Sequence, residues 1–179
     1  MKIDPKTPVT KLLWIDMEMS GLDPQKDRIL EVAAIVTDLD FKQLASFESV
    51  INQPKELIDN MNQWCKTTHG GSGLIDKVGL APSEGAVIKK MRRFIGDNFK
   101  NEPAVLAGNS IHQDRQFIRQ WWPEVEELLH YRMLDVSSFK IIMQNKYSRI
   151  FTKKESHRAL DDIQESIAEL KYYLSFFKK

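Results

Sequence analysis

In the stretch WIDMEMSGLD, Trp14 to Asp23, two acids, Asp16 and Glu18, stand two residues apart inside an apolar run. On a strand, side chains at i and i+2 share a face, so both carboxylates point the same way with Met17 turned opposite. Two such groups in a half-buried site repel one another and lose hydration, which raises a pKa unless a cation neutralises them. A hard divalent ion is the natural partner: Mg²⁺ takes oxygen ligands and is commonly held by one or two carboxylates plus substrate phosphates. The competing reading is a solvated strand end, and with 25 acids in 179 positions roughly three such spacings arise by chance. The preceding LLWI favours the metal reading, because it makes the strand apolar on both faces, as in a covered sheet.

Two further places offer matching chemistry. Asp114 follows LAGNSIHQ, a buried strand, a Gly turn and a helix start, which puts its carboxylate at the C-terminal edge of a sheet, where α/β ligand sites gather. Alone it reads more readily as a first-turn acid answering the helix dipole. SHRALDDIQES sets His157 just ahead of a helix with Asp161 and Asp162 in its first turns. The two acids lie about 100° apart on that helix, so one can face inward while the other faces solvent. Both can instead be dipole partners with His157 on the surface. An imidazole of near-neutral pKa beside a metal also suits a general base for water.

These residues need elements to position them. Strand-like runs at 12–17, 29–37 and 44–51, separated by short turns, predict an antiparallel meander. After Pro54, Leu57, Ile58, Met61 and Trp64 fall at helix spacing, followed by a loop at HGGSGL. Its GGSG lacks the Lys-Ser/Thr of a P-loop and reads as a flexible turn. A helix opens at Pro82 and Ser83 and ends near Phe99, and PAVLAGNS is a short buried strand ending at Gly108. Residues 112–122 and 124–130 read as two helices broken at Pro123, then a brief strand at 133–134 and a helix from Val136. The basic stretch Lys146, Arg149, Lys153, Lys154 and Arg158 is either a solvated surface or an attractor of anionic substrate. Leu160, Ile163, Ile167, Leu170 and Leu174 give the last helix one apolar stripe. Strands first, then helices mixed with shorter strands, predict an α/β fold with a central mixed sheet flanked by helices.

Composition sets limits on partners and compartment. At 179 residues the chain reads as one domain, 1–179, with a core from about 11 to 175. Twenty-six Lys plus Arg against 25 Asp plus Glu leave a net charge of +1, so no whole-molecule field draws in a long polyanion. The single Cys65 forms no internal disulfide and one cysteine is no zinc motif, so a reducing compartment fits. MKIDPKTPVT has no apolar segment of a secretory signal, and no run approaches the ~20 residues of a membrane span. A cytoplasmic location is expected, or a mitochondrial form if the source is eukaryotic.

WIDMEMSGLD, GNSIHQD, HYRMLDVS and SHRALDDIQES together resemble the four motifs of the oligoribonuclease family, the small-RNA branch of the DEDDh exonucleases. The resemblance runs from about Leu12 to Tyr173, with the motifs in the family's order and spacing. It implies an RNase H-like exonuclease fold on a mixed five-stranded sheet. It also implies two Mg²⁺ or Mn²⁺ ions held by Asp16, Glu18, Asp114 and Asp162, with His157 as general base. Such paired ions stabilise the attacking and leaving oxygens of an in-line phosphodiester displacement.

Further positions match residue by residue. Leu22 resembles the leucine that wedges between two bases, and Trp64 the aromatic that packs on the substrate; for both, core packing is the alternative. His69, Ser110 and Arg132 match a cap on the 5′ phosphate, and an Arg fork with a hydroxyl suits phosphate oxygens. Tyr131 matches a tyrosine reaching into a partner subunit's site, which implies a homodimer. Trp121, Trp122, Leu128 and Leu129 beside it serve either the core or that interface. The implied activity is 3′ to 5′ hydrolysis of short RNA oligonucleotides, especially dinucleotides, to mononucleotides. The alternatives are a broader DEDDh exonuclease on longer RNA or DNA 3′ ends, and a non-catalytic nucleic-acid-binding module. Met17 stands where leucine is common, and His112 occupies a variable position; neither touches a catalytic role.

Overall fold

Strand β1 (Lys11–Met19) runs two residues further than its apolar run predicts, so both Asp16 and Glu18 lie within it. In the computed structural model, which describes residues 8–100, 102, 104–152 and 158–177, its side chains divide between two cores. Lys153, Lys154 and His157 lie outside the described residues. Leu13, Ile15 and Met17 enter one core, Leu12 and Trp14 the other, as expected of a sheet covered on both faces.

The sheet is mixed and five-stranded, as the sequence predicts, in the order β3-β2-β1-β4-β5. β2 (Ile29–Asp38) pairs antiparallel with β1 and with β3 (Gln43–Val50), which makes the expected meander. β4 (Ala104–Gly108) and β5 (Leu129–Asp135) extend it in parallel. Helices α4 (Glu84–Phe99) and α5 (His112–Trp121) cover one face, burying Val87, Met91, Ile95 and Phe99 of the former and Phe117 and Ile118 of the latter. α7 (Val136–Tyr147) and α8 (Ala159–Leu174) cover the other, with Ile163, Ile167 and Leu170 of the predicted stripe against Trp14. Trp14 is fully buried and its indole N–H donates to Thr37 at 3.0 Å. Burial of that size contributes on the order of 5 kcal/mol before entropy is counted. Among the described residues no helix is long and apolar enough to cross a membrane.

Three expectations need correction. The single helix after Pro54 is two, α1 (Lys55–Asp59) and α2 (Gln63–Gly71), and a short third helix, α3 (Leu74–Val78), follows them. Asn62 restarts the helix by accepting the Cys65 N–H at 2.9 Å, and this break rotates Trp64 out of the stripe formed by Leu57, Ile58 and Met61. The HGGSGL loop is largely helical; the chain turns only at Ser72 and Gly73, where a φ of 70° suits glycine. The predicted helix at 124–130 stops after one turn as α6 (Pro123–Glu126), and the predicted strand at 133–134 starts earlier, at Leu129. Parallel pairing with β4, a long-range contact, overrides local propensity there.

The same region decides a question of surface against core. Trp122 is fully buried with its indole N–H on Glu84, and Trp121 stacks 3.4 Å beneath the Arg28 guanidinium. Leu128 and Leu129 pack on the first core. These four serve the interior, leaving Tyr131, 60% exposed, as the outward-facing side chain of that group.

Candidate active site

The even-numbered face of β1 continues from Leu12 and Trp14 to Asp16 and Glu18, beneath the first turn of α8. There Asp162 turns inward while Asp161 is exposed, the division that a 100° step allows. Carboxylate oxygens of Asp16, Glu18 and Asp162 all lie within 4.8 Å of one another. Asp114 arrives from the opposite helical layer. β4 pairs with β1 only as far as Trp14, and Gly108 lets it pass close: a Cβ there would lie 3.0 Å from the Ile15 carbonyl. Beyond that point the buried Asp114 comes near enough to Asp16 and Glu18 to feel their charge, outside the tight group of three.

Burial, reinforced by Asp16, Asp162 and Glu31, pushes the Glu18 carboxyl from 4.5 up to about 8. Burial and the neighbouring Asp16 likewise raise Asp114 well above the carboxylate range. The cation that eases Glu18 is Arg158, but it is already held by Glu31 at 2.7 Å and Glu48 at 3.4 Å. Hard oxygen donors that repel one another at this spacing fit a divalent cation, and the cluster is compatible with divalent-metal dependence.

Glu31 is the site residue that sequence reasoning missed. It lies directly opposite Glu18 on β2, is 0% exposed, and binds both Arg158 and, at 3.5 Å, the Ala159 N–H that opens α8. The signal was present: one acid inside the otherwise apolar run ILEVAAIV. Arg158 therefore anchors α8 to the sheet.

A pH dependence follows. The folded pKa of Glu18 exceeds its unfolded value, so the folded state binds the extra proton between 4.5 and about 8. Metal-free stability should fall as pH rises through that window, with Glu18 alone contributing at most about 5 kcal/mol and the raised Asp114 acting in the same direction. Melting in chelator from pH 5 to 8 should show the decline, saturating Mg²⁺ should flatten it, and the Glu18→Gln variant should make it shallower. A Tm in chelator that rises or stays level across the window would refute this.

Beside the acids a cleft of about 490 Å³ is lined by Met17, Glu18, Leu22, Trp64, Cys65 and His69, among others. Leu22 and Trp64 stand 77% and 64% exposed at its rim, so core packing is excluded for both. His69 is buried; its Nε2–H donates to the Met19 carbonyl at 2.8 Å, which leaves Nδ1 3.8 Å from Glu18. Ser110 and Arg132 belong to a different place, Ser110 just past the end of β4 and Arg132 midway along β5. Ser110 takes a left-handed φ of 49°, fixed by its N–H on Asp135 and on Ser137 Oγ, both at 3.0 Å. Ser137, also unanticipated, brings a second hydroxyl 3.2 Å from that of Ser110. Asn109 then links this turn to α8: it accepts from Ser137 and donates to Ser166, whose hydroxyl donates to the Asp162 carbonyl. Arg132 and Tyr131 lie side by side, with the guanidinium 5.2 Å from the ring.

A family model described as exonuclease, of the RNase T type, matches residues 13–170. The oligoribonuclease of Francisella tularensis subsp. tularensis (strain WY96-3418) is 44% identical over 171 residues, 90% of this chain and 93% of that protein. The oligoribonuclease of Chromobacterium violaceum is 43% identical over 173 residues, 94% of this chain and 96% of its own. Among solved structures, exonuclease I from Methylocaldum szegediense aligns with a TM-score of 0.74 at 16% identity, covering 94% of this chain and 41% of that one. E. coli exonuclease I in complex with an oligonucleotide aligns at 0.67 and 15%, covering 93% and 41%. The chain thus spans about two fifths of those structures, and the likeness concerns the fold, which is RNase H-like. With the family model spanning most of its length and relatives this similar from end to end, the chain belongs to the exonuclease family and, within it, to the oligoribonucleases.

Proposed function

We propose that the chain is a 3′ to 5′ exoribonuclease that hydrolyses very short RNA oligonucleotides, 5′-phosphorylated dinucleotides above all, to nucleoside 5′-monophosphates. The observation that carries this reading is the three carboxylates within 4.8 Å of one another, one of which, Glu18, lines a cleft rimmed by an exposed leucine and an exposed tryptophan. Asp16, Glu18, Asp114 and Asp162 would hold two Mg²⁺ or Mn²⁺ ions. When bound, such ions stabilise the attacking and leaving oxygens of an in-line displacement. Leu22 separates two bases and Trp64 stacks on one, contacts tolerant of sequence and worth roughly 1–3 kcal/mol per base. His157 takes a proton from the attacking water at an imidazole nitrogen. Ser110 and Arg132, with His69 on the cleft wall, bind the 5′ phosphate and so close the site to longer strands. Tyr131 on the outer strand reaches the site of a second subunit in a homodimer. A working location in the cytoplasm fits these substrates.

The length of the substrate tests this. Offered 5′-phosphorylated RNAs of about two to ten nucleotides, the protein should cleave the shortest fastest in Mg²⁺ and none in chelator. Arg132→Ala should erase that preference, slowing the dinucleotide by about 10- to 150-fold while longer strands change little. Equal rates at every length in the parent protein would favour a broader exonuclease.

A further inference from the structure

The turn that presents Leu22 is closed from beneath by a single carboxylate. Asp27 accepts the Ser20 hydroxyl on Oδ1 at 2.8 Å and the Asp23 N–H on Oδ2 at 2.9 Å, while its own N–H donates to the Asp23 carbonyl at 2.7 Å. The ends of the turn are joined as well: the Ser20 N–H donates to the Arg28 carbonyl at 2.9 Å, and the Arg28 N–H to Ser20 Oγ at 3.1 Å. Gly21 lies directly on the carboxylate. A Cβ at that position would fall 2.6 Å from Oδ1 and closer still to Oδ2, so a larger residue there forces the Asp27 carboxylate to shift. Leu22 follows immediately and is 77% exposed beside Trp64 and Cys65 at the cleft rim.

A large apolar side chain held in water gains by folding onto the nearest apolar wall, and here that wall is the cleft itself. Only a fixed backbone keeps it projecting where two neighbouring bases of one strand can receive it, and fixing it beforehand spares the ordering cost at binding. We infer that Asp27 is a positioning residue for the substrate: by filling the interior of the 20–28 turn it sets the place of Leu22 between two bases, an inference that rests on the proposed wedge role of Leu22. Asp27 acts through hydrogen-bond geometry and not through its charge. An asparagine could keep the Asp23 N–H on its oxygen and donate its amide to the second lone pair of Ser20 Oγ. An alanine keeps neither bond.

Steady-state kinetics on a 5′-phosphorylated diribonucleotide separates the possibilities. Asp27→Ala should raise KM about tenfold and leave kcat within about threefold, the pattern of a lost contact made equally in ground and transition states. Asp27→Asn should restore KM to within about threefold of the parent. The double variant Asp27→Ala/Leu22→Ala should be no worse than Leu22→Ala alone, because the two act as one unit. Gly21→Ala should reproduce the KM effect and stands in if Asp27→Ala does not fold. A double variant whose loss is the product of the two single losses would overturn the inference, as would an Asp27→Asn as impaired as Asp27→Ala. If Leu22→Ala alone leaves KM unchanged, the wedge reading itself fails and takes the inference with it.

Discussion

Asp162→Asn should reduce cleavage of a diribonucleotide by about 10²–10³-fold or more, while the metal-free protein melts no lower than the parent. The two halves of this result have one cause. Asp162 shares with Asp16 and Glu18 a space in which the three sets of oxygens lie within 4.8 Å, and its charge is among those that push Glu18 up to about 8. An amide in its place relieves repulsion in the empty cluster, so folding gains. It also removes a negative ligand from the set that a divalent ion needs, so catalysis loses. Asp161→Asn is the matched control: that acid occupies the same turn of α8 but faces solvent, and its loss should alter neither quantity by more than a small factor. Rates in Mg²⁺ and melting curves in chelator read both effects. Retained cleavage in Asp162→Asn, or a Tm several degrees below the parent, would show that the acid serves the fold instead of the site.

The acids were legible because their constraints are local. Period-two spacing puts Asp16 and Glu18 on one face, and a 100° step lets one of Asp161 and Asp162 face inward, with the family resemblance naming Asp162 as that one. The mixed sheet was legible for the same reason, since strand runs and helix stripes are one-dimensional patterns. What escaped depends on partners far away in sequence. Glu31 looks like an anomaly in an apolar strand until Arg158, 127 residues later, is seen to close on it. The β5 strand at 129–135 is specified by β4 beside it, whereas its own residues and the Pro123 helix start suggested more helix. Trp64 was misread as part of a stripe because the break at Asn60 to Asn62 depends on a side-chain cap, a single hydrogen bond that shifts the phase of everything after it. Ser137 was invisible as a partner of Ser110 because parallel neighbours β4 and β5 bring the two turns together only in the sheet.

Arg158→Ala should lower stability by about 3 kcal/mol, the low end for a broken buried pair because a quarter of the Arg158 side chain remains in solvent. For a chain of this size that is a fall of about 6–12 °C in Tm. Glu31 has no solvent exposure at all, so the lost guanidinium, bonded at 2.7 and 3.2 Å, leaves its carboxylate uncompensated. It stands directly opposite Glu18, in a neighbourhood already crowded with negative charge. The damage should also reach function, because Glu31 and Arg158 together tie the first residues of α8, and hence Asp162, to the strand that faces it. Adding Glu31→Gln to Arg158→Ala should recover most of the lost stability, since a buried amide carries no charge to be answered, whereas Glu48→Gln, whose partner atom lies at 3.4 Å on a more exposed side chain, should recover little. Metal should stabilise the Arg158→Ala variant more than the parent, as a second positive charge near Glu18 takes over part of the screening. If Arg158→Ala melts within a degree or so of the parent in chelator, the pair is peripheral and α8 is held by its apolar stripe alone.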